Sequence, residues 1–119
     1  MSKFLTECVL RFSDHDGGMR TVIEPLVYQS DVAGMTITVP AGFQTDMASV
    51  PRLPIVFLLF GNTSDEAAVV HDYLYSTKLV AREVADAVLR EASLTTGVPR
   101  WRAQAMWAGV RMFGASHYK

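Results

Sequence analysis

The stretch Glu66-Ala67-Ala68-Val69-Val70-His71-Asp72-Tyr73-Leu74-Tyr75 holds a histidine, a carboxylate and two tyrosines where plain core residues would suffice. A second stretch, downstream, places Asp86 among apolar neighbours. Read at helical spacing, His71 points inward with Ala67, Val70, Leu74 and Tyr75. Asp72 lies about 100° around the axis, toward a rim, and Tyr75 sits one turn beyond His71 on the same face. A carboxylate beside a packed stripe is costly unless it is bonded. A hydrogen bond from the His71 ring to Asp86 would satisfy both groups, fix the tautomer and leave the other ring nitrogen as a base.

The chemistry of that set is water activation. His71 would take a proton from water and Asp86 would stabilise the imidazolium. Asp72 would hold a hard cation such as calcium, which polarises a carbonyl or phosphoryl oxygen. Calcium takes about six to eight oxygens, so Asp72 needs carbonyls, waters or a second carboxylate such as Asp46 or Asp65. The plainer reading is a satisfied core histidine inside a buried polar network without turnover.

Two helices must position these groups. Thr63-Ser-Asp-Glu66 is a capping box, which predicts a helix from Ser64 to about Ser76. A second helix is expected from Val80 to about Thr95, with Val84, Val88 and Leu89 inward and Gly97 as a left-handed cap before Pro99. A third runs from Pro99 to Phe113. Its stripe of Trp101, Ala105, Ala108 and Met112 is expected in the core, with Met106, Val110 and Phe113 beside it.

The first 45 residues read as β. Phe4 to Phe12 suits one strand, Ser13 to Gly18 a turn, and Met19 to Gln29 a second strand that Pro25 places at an edge or breaks. Met35 to Val39 alternates cleanly. The connections are too short for parallel crossovers, so the strands should pair antiparallel. Phe43 to Arg52 reads as a polar connector in which Thr45, Asp46 and Ser49 hold a turn. In the sharper reading Asp46 faces the His71 helix. Leu53 to Phe60 reads as a short greasy helix starting near Pro54. The expected fold is α+β, a single domain over residues 1–119 with a small antiparallel N-terminal sheet packed on three C-terminal helices.

Bulk properties narrow the function classes. The chain has 119 residues, half of them apolar, and a net charge of -1. No broad basic field exists to hold nucleic acid, and Arg100, Arg102 and Arg111 read as a solvated helix face. Cys8 is the only cysteine, which excludes an internal disulfide and a cysteine-based zinc site and suits a packed thiol. The N-terminus has no apolar signal core, and the longest apolar run is far below the ~20 residues of a membrane span. The expectation is a protein made and folded in the cytoplasm.

Two resemblances add to this reading. Phe43-Gln-Thr-Asp-Met-Ala-Ser-Val-Pro51, Ala67-Ala-Val-Val-His-Asp-Tyr-Leu-Tyr75 and the following Ala85-Asp86 resemble a family of small proteins of unknown function encoded by tailed bacteriophages, prophages and bacteria. That resemblance implies a late-expressed phage protein: a tail or virion-associated component, or an assembly factor, with protein partners in the particle. The second is local. His71-Asp72-x-x-Tyr75 with Ala85-Asp86 on the next helix is similar to the active-site helices of phospholipase A(2). It implies an esterase acting on lipid or cell-envelope material, with His71 as base, Asp86 orienting it, Tyr75 in support and Asp72 binding calcium.

Overall fold

A computed structural model of the chain describes residues 2–12, 20–45 and 65–113. Six short strands precede three helices: β1 (Lys3–Phe4), β2 (Leu10–Phe12), β3 (Arg20–Val22), β4 (Leu26–Ser30), β5 (Met35–Val39), β6 (Gln44–Thr45), α1 (Asp65–Thr77), α2 (Arg82–Thr95) and α3 (Arg100–Phe113). The architecture is α+β, as the sequence predicts. The strands form two antiparallel three-stranded sheets rather than one, ordered β1-β4-β5 and β2-β3-β6.

Side-chain chemistry explains the split. The strand expected from Phe4 to Phe12 parts after Phe4, where Thr6 takes over the ladder's work. Its hydroxyl donates to the Pro25 carbonyl (3.1 Å) and accepts from the Val27 amide (2.9 Å). The strand expected from Met19 to Gln29 parts around Pro25, which has no amide to donate. β6 is a further departure: Gln44 and Thr45, expected in a connector, pair with Thr21 and Arg20.

Alternation in β4 buries Leu26, Tyr28 and Ser30, and β5 buries Ile37 and Val39 while exposing Thr36 and Thr38. The β4–β5 turn closes on Gly34, whose positive φ of 66° suits glycine. α1 packs between this layer and α2, so Ala67, Ala68, Val69 and Val70 are all buried in succession. α2 buries one stripe of Ala85, Asp86, Val88, Leu89, Ala92 and Ser93. The left-handed cap expected at Gly97 is present, with φ 96° and the Val98 amide donating to the Ser93 carbonyl at 3.0 Å.

α3 is rotated relative to the sequence expectation. Its core residues are Ala103, Met106 and Val110, whereas Trp101 is 64% and Met112 73% exposed. Arg111 sets the rotation. It bonds to buried Asp86 on α2, and Arg82 bonds to the Val110 and Arg111 carbonyls. Turning that edge toward α2 leaves the Trp101 and Met112 stripe outward. The Leu53–Phe60 helix, the Thr63 capping box and the turn at Ser13–Gly18 lie outside the described residues.

Candidate functional site

α1 presents His71 and Tyr75 one turn apart, with ring centroids 4.2 Å apart and planes inclined at 44°. α2 presents Asp86 opposite them, fully buried at 0% exposure. One carboxylate oxygen, Oδ1, accepts from the His71 ring at Nε2 (2.9 Å) and from the Tyr75 hydroxyl (2.5 Å). The other, Oδ2, accepts from Arg111 Nη1 on α3 at 2.8 Å, with Arg82 Nε 3.9 Å away. The interhelical pair expected from sequence is therefore present, and it belongs to a larger network.

Arg82 joins all three helices. From α2 its Nε donates to the Tyr75 hydroxyl (3.3 Å) and its Nη2 to the Val110 and Arg111 carbonyls (2.8 and 2.7 Å). A guanidinium at a helix C-terminus satisfies orphan carbonyls and the negative end of the helix dipole. Arg111 also lies 3.9 Å from Glu83 at the surface. It is thus part of the buried-charge network and not of a solvated face with Arg100 and Arg102.

Burial by itself would push the Asp86 carboxyl up. Hydrogen bonds from His71, Tyr75 and Arg111 and the attraction of His71 outweigh it and hold the group below the usual carboxylate range. Asp86 is therefore ionised and can only accept, so Nε2 of His71 carries the shared proton and Nδ1 is left as the basic nitrogen. Burial pushes the Tyr75 phenol up, and the carboxylate beside it adds to the rise, so the hydroxyl stays a donor.

His71 is 8% exposed, enough for an edge of the ring to lie near the surface. The arrangement holds an oriented imidazole that can take a proton. Arg111 and Arg82 oppose this role. By compensating Asp86 they weaken its ability to stabilise an imidazolium.

Of the two expected metal residues, Asp72 and Asp46, only Asp72 is among the described residues. Asp72 is half-buried on α1. Among the described residues no three of His, Cys, Asp or Glu converge on a common point. Asp46 lies outside the described residues, as does the side chain of Asp65. A calcium site needs several converging oxygens, and the described carboxylates do not by themselves bring three together. Sequence reasoning missed Arg82 and Arg111 as partners of Asp86. Arg82 was within reach, since it stands four residues before Asp86 on one helix. Arg111 could be found only once the rotation of α3 was known.

Residues 20–110 match the model of a family described as "Protein of unknown function (DUF1353)". The chain is also similar to an uncharacterized protein, y4jT, of Sinorhizobium fredii (strain NBRC 101917 / NGR234), with 31% identity over 86 residues. The match covers 71% of this chain and 26% of the relative, so the chain spans about a quarter of the length of the curated relative it matches. No solved structure matches the chain.

Proposed function

The chain belongs to the DUF1353 family, and from that premise we propose a late bacteriophage or prophage protein, a tail or virion-associated component or assembly factor, in which the His71–Asp86 site is a structural lock. The observation that carries the lock is the saturation of Asp86. Its buried carboxylate takes donors from α1 and α3 on its two oxygens, and Arg82 of its own helix bridges to both. A catalytic carboxylate works best with its charge directed at one imidazole, whereas this one is shared among four residues. The phage origin is supported by the resemblance of the Phe43–Pro51 and Ala67–Tyr75 motifs to small phage-encoded proteins. Among the described residues no helix is long and apolar enough to cross a membrane.

Mass spectrometry of purified, protease-treated particles from the encoding phage or induced prophage tests the assignment. The protein is expected in stoichiometric or near-stoichiometric amount, or else as a factor whose deletion leaves particles incomplete. Complete, infectious particles from a deletion strain that never contained the protein would overturn it.

One observation favours a second reading. His71 and Tyr75 bond the same oxygen of Asp86, the disposition that a base-orienting aspartate requires, and His71 keeps Nδ1 for a water. In that reading the protein is an esterase, calcium-assisted, on lipid or cell-envelope material. Hydrolysis of mixed phospholipid vesicles with calcium or with chelator decides between the two. The lock predicts no turnover and no difference between the parent and His71→Asn. Turnover that disappears in a folded His71→Asn variant would replace the lock with the enzyme.

A further inference from the structure

Among the described residues, α3 carries an apolar stripe that no other element covers. Trp101 is 64% and Met112 73% exposed, and Ala105 and Ala108 lie half-buried between them. The stripe extends roughly 16 Å along the helix at 1.5 Å per residue. Its spacing is symmetric about its middle: a large residue, a four-residue step, alanine, a three-residue step, alanine, a four-residue step and a large residue. Two copies laid antiparallel therefore match. Trp101 of one copy faces Met112 of the other, and Ala105 faces Ala108. The alanine pairs let the two backbones approach closely at the dyad while the bulky ends interlock.

We propose that α3 is a homodimer interface, its occupant an antiparallel second copy of this chain. Charge complementarity supports that occupant. α3 bears Arg100, Arg102 and Arg111 and no acidic residue. Unaided, two such helices would repel. In an antiparallel pair with a twofold axis, the same flank of each helix meets. Arg111 and Arg100 share the flank toward α2. The antiparallel register brings Arg100 of the copy to the height of the C-terminal end of α3. Glu83 stands there, its side chain 72% exposed and 3.9 Å from Arg111. Glu83 thus faces Arg100 of the copy, twice by symmetry. Arg111 does not add to the repulsion because Asp86 already compensates it at 2.8 Å.

The four stripe residues cover much less than the ~800 Å² per partner of a standard interface, which places the dimer among the weak, concentration-dependent ones. Sedimentation of the full chain over a concentration series reads this directly. The weight-average mass is expected to rise from 13.1 kDa toward twice that value. Ala108→Glu, at a half-buried position in the middle of the stripe, is expected to weaken association at least tenfold with helical circular dichroism unchanged. Orientation is read by oxidative cross-linking of single-cysteine variants in a Cys8→Ser background. A mixture of Ala105→Cys with Ala108→Cys, one of them carrying a mass tag, should form tagged–untagged heterodimers several-fold faster than either variant dimerises alone. A monomer at every concentration overturns the proposal. So does dimerisation that Ala108→Glu leaves intact, or self-cross-linking of Ala105→Cys that outpaces the mixture.

Discussion

Asp86 and Glu91 stand on the same helix, less than two turns apart, and each ties α2 to a different layer. Asp86 faces the helices, and its partners are an imidazole, a phenol and two guanidiniums. Glu91 faces the strands. Its Oε1 accepts from the Tyr28 hydroxyl (2.8 Å) and the Ser30 hydroxyl (2.7 Å), and its Oε2 from the Val32 amide (2.9 Å). Each carboxylate places one tyrosine hydroxyl on one oxygen, and both phenols are pushed up, by burial first and by the adjacent carboxylate second. The difference lies in charge. Glu91 is half-buried and needs only neutral donors to hold the β4–β5 hairpin on α2. Asp86 has no exposure, and an ion at that depth is tolerable only beside cations. The cations that make Asp86 affordable also dilute its pull on His71, which is why the helix network reads as a lock before it reads as a catalyst.

The largest expected effect comes from removing the deeper charge. Asp86→Ala leaves Arg111, Arg82, His71 and Tyr75 without their common acceptor and should cost about 3–5 kcal/mol in urea unfolding. Glu91→Ala releases three neutral donors, of which only the Val32 amide belongs to an exposed residue, and should cost about 2 kcal/mol. Equal losses would erase the distinction drawn between the two sites.

Acid gives the same comparison without mutation. The Asp86 carboxyl titrates below its ordinary value in the fold, so the unfolded chain binds its proton first as pH falls. Its contribution is fully present above the ordinary aspartate range and is lost as pH falls through the depressed folded value. Stability against pH should therefore drop at the acid end in the parent protein. The Asp86→Asn variant, less stable at neutral pH, should show a shallower acid slope. An unchanged slope would mean that Asp86 is not the group being titrated.

How far these networks could be read from sequence depends on range. The His71–Asp86 pair was legible because two polar groups lay on inward stripes of consecutive helices joined by a short link. Helix ends were legible at Gly97 and Pro99 for the same local reason. The rotation of α3 was not, since both of its stripes are apolar and long-range bonds, from Arg111 to Asp86 and from Arg82 to the Val110 and Arg111 carbonyls, select between them. The division into two sheets depends on Thr6 bonding the backbone about Pro25, roughly twenty residues away, and periodicity carries no trace of that. Nothing local to the sequence singles out Glu91, since its partners Tyr28 and Ser30 stand about sixty residues away.

The smallest effects test whether the two sites are independent. Tyr75→Phe and Tyr28→Phe each remove one hydroxyl from a carboxylate oxygen that keeps another donor, His71 or Ser30, so each should cost about 1 kcal/mol. Tyr75→Phe should cost slightly more, because Arg82 Nε also loses an acceptor at 3.3 Å. The two networks share no described residue and attach about 7.5 Å apart along the α2 axis, so the double variant should be additive within about 0.5 kcal/mol. Tyr75→Phe combined with His71→Asn should not be additive, since both act on Oδ1 of Asp86. Measured coupling between the tyrosines as large as that between Tyr75 and His71 would mean that α2 transmits strain from one carboxylate to the other. Helix and strand layers would then form one cooperative polar core, and the contrast between a charged lock and a neutral clamp would lose its physical basis.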